Sequence, residues 1–267
     1  MNDARPEEAA PAARGAERLA QRIRCARSVV ALTGAGISVP SGIPDFRTPR
    51  TGLWANVDPM EVAHIDAWRN DPARFWAFYG ERFQSLRDKR PNRAHELLAE
   101  LGRRGLLDAV VTQNIDRLHA AAGGGDAAAG DDGELIELHG SIASSSCQEC
   151  GASHPLAEVQ ARLEADPHGV PRCDCGRPLK PDVVLFGELL PQAALERAQA
   201  LAVRADLLLC IGSSLEVWPV GELPALTLRA GGEVAIVTQS PTRYDEQAVV
   251  KLEGDVVAEL EAVVSAL

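Results

Sequence analysis

Nowhere do the 267 residues contain an apolar run as long as a bilayer-spanning helix needs, which argues against a helical membrane protein. Residues 1–14 hold Glu, Asp, Arg and Pro but no apolar stretch of signal-peptide length, so a cytoplasmic protein is expected. An excess of positive charge is missing as well. The net charge of −11 disfavours non-specific nucleic-acid binding and is compatible with cationic, lysine-bearing protein substrates. The six cysteines lack the scatter of a disulfide framework, because four are clustered while Cys25 and Cys210 stand alone in apolar surroundings, as small buried hydrophobes do. Apolar material is not short. A hydrophobic content of 46% is ample for one large domain or for a large domain with a small satellite.

What the chain does have is concentrated first at residues 29–47. The β-branched run Val29-Val30-Ala31-Leu32 breaks at Gly34-Ala35-Gly36 and continues as Ile37-Ser38-Val39-Pro40-Ser41-Gly42-Ile43-Pro44-Asp45-Phe46-Arg47. A parallel strand ending in Gly-x-Gly is a way to deliver a phosphate to free backbone N–H groups at a helix start. The third glycine of a dinucleotide fingerprint is absent, since position 39 is Val, and no acidic residue follows a second strand about 20 residues on. A plain dehydrogenase is therefore disfavoured. The tail Asp45-Phe46-Arg47 instead suits a pocket for a charged, ring-containing ligand.

Cys147-x-x-Cys150 and Cys173-x-Cys175, each pair on its own tight turn, read as a four-thiolate zinc site. Four thiolates leave no open coordination position, so the metal is structural and holds a segment too short to build its own core. The nearby His154 and His168 read as solvated loop histidines.

Short apolar strands alternating with helices indicate an α/β fold, a Rossmann-like open parallel sheet with helices on both faces. The spacing predicts a helix over 7–27, strands at 28–33, 106–112, 135–138, 183–186, 206–211 and 233–237, and helices over 92–101, 191–203, from about 220 and from Asp255. Residues 58–90 are aromatic-rich and helical, as a core or pocket wall would be. Residues 121–133, nearly all Ala, Gly and Asp, read as a flexible surface loop. In such a sheet ligands bind outside the carboxyl ends of strands. The unusual polar residues gather there: Gly34 onward, Gln113 to Asp116, His139, Gly187-Glu188 and Gly212-Ser213-Ser214. His139, following a strand and preceding a glycine, is the candidate general base, with Asn114 and Asp116 on the neighbouring strand end.

Taken together, Gly-Ala-Gly-Ile-Ser-Val-Pro-Ser-Gly-Ile-Pro-Asp-Phe-Arg at 34–47, Thr-Gln-Asn-Ile-Asp-Arg-Leu-His at 112–119 and His-Gly at 139–140, with the four cysteines, Val-Val-Leu-Phe-Gly-Glu at 183–188 and Gly-Ser-Ser-Leu-Glu-Val-Trp-Pro at 212–219, resemble the sirtuin family of NAD-dependent protein deacylases. The match runs in order over about residues 15–262. It implies an NAD-binding domain made of 15–47, 91–140 and 180–262. A small domain would combine the helical insertion 48–90 with the zinc segment 141–179, and residues 1–14 would form a flexible start. Carried over by position, Gly34, Ala35, Gly36, Val39, Asp45, Phe46, Arg47, Gln113, Gly212, Ser213 and Ser214 would line the NAD site, with Gly34 to Gly36 at the pyrophosphate. Thr238, Gln239 and Val256 would lie at its adenosine end. Ile115 and Asp116 would hold the nicotinamide carboxamide, Asn114 would order the ribose or a water, and His139 would be the base. An acyl-lysine protein would add as a strand between Val184–Gly187, with Phe186 and Glu188, and Leu215–Val217.

That resemblance implies NAD as a consumed co-substrate, zinc as a structural ion, and acyl-lysine proteins as partners, without nucleic acid or membrane. The products would be free lysine, nicotinamide and O-acetyl-ADP-ribose. No activated Ser or Cys motif is present, in keeping with a reaction that needs no protein nucleophile. Thr238 and Gln239 stand where the family usually has Asn. The 121–133 loop is longer than usual and reads as a surface insertion. Ala63, Tyr79 and Arg82 match the spacing that lines the acyl pocket of members preferring succinyl- or malonyl-lysine, so desuccinylation or demalonylation is the alternative to deacetylation. Mono-ADP-ribosyl transfer, NAD hydrolysis and a non-catalytic NAD-binding module are further alternatives.

Overall fold

Five-residue apolar runs with few polar interruptions can be buried on both faces only in the middle of a layered sheet, and that is where they lie. The structure, a computed structural model, describes residues 11–45, 58–123 and 133–267. Helix α1 (Pro11–Cys25) leads into β1 (Val29–Thr33), and β2 (Ala109–Thr112), β3 (Glu134–Glu137), β7 (Leu207–Ile211), β8 (Glu233–Val237) and β9 (Val250–Leu252) complete a six-stranded sheet. Its order is β3-β2-β1-β7-β8-β9 and every pairing is parallel. Counted within the sheet, this is the 3-2-1-4-5-6 order of dinucleotide-binding folds, whose switch point lies between β1 and β7.

Alternate residues of each strand face opposite layers. Val29 and Ala31 pack with Leu207, Leu209 and Ile211 under α1, α5 (Arg93–Arg103) and α10 (Val256–Ser265), where Leu19, Ile23, Leu97, Leu101, Leu260 and Val263 close the core. Val30 and Leu32 pack with Leu208 and Cys210 under α8 (Gln192–Arg204) and α9 (Leu223–Arg229). Helix α1 presents Ala16, Leu19, Ala20 and Ile23 at i, i+3, i+4 and i+7, all essentially inaccessible to solvent.

A second sheet is antiparallel, three-stranded and ordered β5-β4-β6, from β4 (Gly140–Cys147), β5 (Ser153–Pro155) and β6 (Leu179–Val183). It shares a core with α2 (Pro59–Val62), α3 (Ile65–Asn70), α4 (Pro72–Arg87) and α7 (Leu156–Ala165), built around Phe75, Trp76, Tyr79, Phe83, Leu179 and Val183. The indole N–H groups of Trp68 and Trp76 both donate to the Leu179 carbonyl, each at 3.0 Å, which ties α3 and α4 to β6.

Several expectations change. The apolar run at 183–186 is not a strand of the parallel sheet; the strand is β6, and Pro181 is tolerated in it because β6 lies at an edge. Leu185 packs inside the core of the helical region, the Phe186 backbone is bridged to His64 while its side chain is exposed, and residues 184–186 line a cavity. The segment after Gly-x-Gly is a 3₁₀ turn, Ala35–Ser41, not an α-helix. Strand β9 is too short to stand out. Cys25 is exposed, whereas Cys210 is buried as expected. Pro11 is already helical, and residues 1–10, 46–57 and 124–132 lie outside the described residues, taking with them Phe46, Arg47, most of the 121–133 loop and the start of the 48–90 insertion. Among the described residues no helix is long and apolar enough to cross a membrane.

Candidate active site

At the switch point the loops after β1 and β7 touch. The Gly34 N–H donates to the Ile211 carbonyl at 3.0 Å and the Gly36 N–H to the Gly212 carbonyl at 2.8 Å. A Cβ on Gly36 would stand 2.7 Å from the Gly212 Cα, so these glycines are required by the approach of two backbones. Those two amides are engaged within the protein, and the turn therefore meets a ligand through its other groups.

Beside this contact lies a cavity of about 640 Å³. Ala35 and Ser38 enter it from the turn after β1, Gln113 to Asp116 from the end of β2, and His139 from beyond β3. Helix α4 contributes Tyr79 and Arg82, the α2–α3 connection Ala63, and the far wall is Val184 to Leu190 with Val217 and Trp218. The cavity thus brings together residues from seven separate segments that the sequence singles out. Gly34, Gly36, Gly212 and Ser213 form the ridge beside it. Val39 is exposed, and Asp45, Ser214, Thr238, Gln239 and Val256 do not line it. Thr238 follows β8 and Val256 opens α10, both on the carboxyl edge of the sheet. Leu215 has φ +56°, its side chain is buried in the core under α9, and it does not line the cavity.

Hydrogen bonds fix the protonation states within this wall. His139 Nδ1 lies 2.9 Å from the Gln113 carbonyl oxygen. A carbonyl can only accept, so Nδ1 carries the proton and Nε2 keeps a lone pair. Burial pushes the His139 pKa below the ordinary histidine value, opposed in part by that carbonyl. The imidazole is therefore neutral and basic at neutral pH.

Ser38 organises the other side. Its hydroxyl donates to Asp116 Oδ2 at 2.7 Å, accepts from Asn114 Nδ2 at 3.1 Å and lies 3.4 Å from His95 Nε2. His95 Nδ1 accepts the Asn92 N–H, which leaves Nε2 as the donor toward Ser38. Asn114 Nδ2 also donates to the Gly34 carbonyl at 3.2 Å, and the Leu118 N–H donates to Asp116 Oδ1 at 3.0 Å. Burial raises the Asp116 pKa above the ordinary carboxylate value, opposed in part by the hydrogen bonds from the Leu118 N–H and the Ser38 hydroxyl. Gln113 Nε2 donates to Ser213 Oγ at 2.9 Å, linking the ends of β2 and β7. Sequence reasoning left out His95, Ser38 and the buried pair Thr33 and His119, 2.9 Å apart. The available signal was a histidine three residues after the cap Asn92, inside the apolar face of α5.

The four cysteines converge as expected. All four Sγ atoms lie within 4.8 Å of one another, with Cys147–Cys175 and Cys150–Cys173 each at 3.5 Å. A tetrahedral zinc with Zn–S near 2.3 Å separates its sulfurs by about 3.8 Å, so the donor set fits that ion. Each pair sits on a tight turn closed by a glycine N–H, Gly151 to the Cys147 carbonyl and Gly176 to that of Cys173. His154 is not solvated: it is buried on β5 with Nδ1 3.0 Å from Glu158. His168 is exposed.

Comparison with known proteins agrees with this arrangement. The family model described as "Sir2 family" matches residues 34–219. An NAD-dependent protein deacetylase of Sulfolobus acidocaldarius is 45% identical over 87% of this chain and 87% of its own length. An NAD-dependent protein deacylase of Thermus thermophilus is 42% identical over 85% of each. A solved Sir2 structure with a deacetylated p53 peptide and 3′-O-acetyl-ADP-ribose superposes with a TM-score of 0.86 at 40% identity, covering 93% of this chain and 97% of that one. Another, of Sir2 with p53 peptide and NAD⁺, gives 0.83 at 40% identity and covers 93% and 96%. With the switch-point cavity, the histidine beyond β3 and the four-cysteine cluster all present on this sheet, the chain belongs to the Sir2 family.

Proposed function

We propose that this protein is an NAD-dependent protein lysine deacetylase that converts acetyl-lysine, NAD and water to lysine, nicotinamide and O-acetyl-ADP-ribose. NAD supplies a ribose carbon that becomes electrophilic as its bond to nicotinamide breaks, and the acyl oxygen of the modified lysine is the nucleophile. Ile115 and Asp116 receive the carboxamide, Asn114 orders the ribose or a water, and His139 Nε2 takes a proton from a ribose hydroxyl. Ala35, Gln113, Ser213 and Ser214 hold the remainder of the dinucleotide, with Thr238, Gln239 and Val256 toward the adenosine end. In this reading 15–47, 91–140 and 180–262 bind NAD, and 48–90 with 141–179 form the smaller domain; the shared core of α2–α4 and the cysteine-bearing sheet supports that grouping, although β6 belongs with the smaller sheet. A cytoplasmic location suits four reduced cysteines.

The observation that carries the proposal is a neutral, tautomer-fixed His139 in one cavity with Asn114 and Asp116. The test is mass-resolved turnover of an acetyl-lysine peptide with and without NAD. Removing a general base costs about 10²- to 10⁴-fold in rate, so His139→Ala should fall by that much. The acid limb of kcat/KM should lie below the ordinary histidine pKa of about 6.5, because activity is lost only as Nε2 becomes protonated. Undiminished turnover by His139→Ala would remove the base from the mechanism.

A second reading, removal of succinyl or malonyl groups, is favoured by Tyr79 and Arg82 lining the same cavity with Ala63. Arg82 is half-buried rather than exposed as on an ordinary surface helix; burial lowers its pKa while pushing the Tyr79 phenol up to about 12, so the phenol remains a donor. Succinyl release in place of acetyl release, lost in Arg82→Met, would make this the main activity.

A further inference from the structure

The wall of the cavity formed by residues 184–188 leaves β6 and turns back on itself, and a buried lysine stands behind it. Four backbone bonds hold the wall: the Val184 N–H donates to the His139 carbonyl at 2.8 Å, the Phe186 N–H to the Ala63 carbonyl at 2.9 Å, the Ile65 N–H to the Phe186 carbonyl at 2.9 Å, and the Glu188 N–H to the Leu185 carbonyl at 3.0 Å. One side chain of the segment closes the turn. Glu188 Oε2 accepts the Leu185 N–H at 2.9 Å.

That carboxylate is in turn held by Lys180. Its side chain is only 8% exposed, and Nζ lies 2.9 Å from Glu188 Oε2, 2.9 Å from the Val183 carbonyl and 3.1 Å from the Pro181 carbonyl. An ammonium has three protons, and all three have acceptors. The side chain therefore spans the end of β6 and the far end of the cavity wall at once. The residue preceding it is Leu179, whose carbonyl receives the indole N–H groups of Trp68 and Trp76.

We propose that Lys180 is a positioning residue for the cavity wall Val184–Glu188. By holding the Glu188 carboxylate it keeps the Leu185 amide bonded and the turn in the shape that docks the acylated peptide, without touching substrate itself. The docking role of the wall rests on the deacetylase reading above. With Lys180 replaced, the Glu188 carboxylate loses the cation beside it, swings toward water and releases the Leu185 N–H.

The test compares wild type, Lys180→Met and Glu188→Gln by steady-state kinetics with an acetyl-lysine peptide and by amide hydrogen exchange across 184–188. Hydrogen bonds to charged groups contribute about 1.5–3 kcal/mol, so the peptide KM of Lys180→Met should rise about tenfold or more. The KM for NAD should stay within about twofold and kcat within about threefold, with faster exchange at Leu185. Glu188→Gln, which keeps an acceptor for the Leu185 amide, should show the same pattern at about two- to fivefold. Unchanged peptide KM and Leu185 exchange in both variants would overturn the proposal, as would equal losses for peptide and NAD, the mark of general destabilisation. If Lys180→Met does not fold, an unaltered Glu188→Gln overturns it by itself. Absence of any peptide turnover by wild type would instead defeat the deacetylase reading, and the exchange measurement would still decide whether Lys180 orders the wall.

Discussion

Strands β1 and β7 bury all five of their residues, whereas β4 buries three of eight and β5 one of three. The parallel sheet is sandwiched by helices on both faces and takes its cohesion from aliphatic residues in continuous runs. The antiparallel sheet has one usable face, and aromatic residues of α4 fill it from a distant part of the chain: Phe75 stacks on Tyr79 with centroids 4.6 Å apart, and Trp76 meets Phe83 edge-on at 6.1 Å. The four thiolates stand at the margin of that core, Cys147 and Cys173 buried in it and Cys150 and Cys175 exposed. One region is thus stable by area, the other by a smaller core plus a metal site. The cavity lies where the two meet, so its walls inherit two different sources of rigidity.

Removal of the metal should separate the two regions most strongly. Structural zinc sites contribute about 10–16 kcal/mol of binding free energy at neutral pH, and chelation or Cys173→Ser should loosen the β4–β6 region. Tryptophan emission should shift to the red as Trp68 and Trp76 lose the Leu179 carbonyl, while most far-UV circular dichroism persists. Simultaneous loss of both signals would show that the regions fold as one unit.

A deletion in the aliphatic core is the complementary break. Leu209 is fully buried in the middle of β7, and Leu209→Ala should cost about 2–5 kcal/mol in urea unfolding. The expected loss appears in far-UV signal with zinc content unchanged. Metal release at the same urea concentration in wild type and mutant would be consistent with independent regions.

Acid also acts on the large region. Burial holds His95 down to about 4 and His119 to about 3, so both stay neutral in the folded state at neutral pH. Their folded pKa values lie below the unfolded value of about 6.5, so the unfolded chain takes up protons first as pH falls. Stability should be fully present above about pH 6.5 and decline toward about pH 3, where the lower of the two folded values lies, by an amount reduced in His95→Gln. A flat urea midpoint between pH 7 and 5 would show that these histidines carry no linkage.

Local signals account for much of what the sequence made legible. Asn92 was readable as a cap because its side chain accepts the Ala94 N–H at the start of α5, and the strand at 233–237 coincides with its apolar run. The cysteine spacing pointed to one ion because each pair forms its own turn. Less legible was the run at 183–186, where apolar residues line a cavity and a neighbouring core, since composition records burial and not what buries it. The glycines at 34 and 36 pointed to the right place for an incomplete reason: their amides serve the contact with β7. His154 was hidden because its partner Glu158 is on α7 and its burial comes from packing beyond β5.

The sequence by itself determined the parallel sheet, the cysteine cluster and the family motifs, because apolar periodicity, turn chemistry and ligand spacing act over a few residues. Tertiary structure decided that Ser38, His95, Asn114 and Asp116 share one network, that Leu215 turns into the core, and that Tyr79 and Arg82 face His139 across a single cavity. Those relations join residues far apart in the chain, and hydrogen-bond direction and burial exist only once the two regions have packed together.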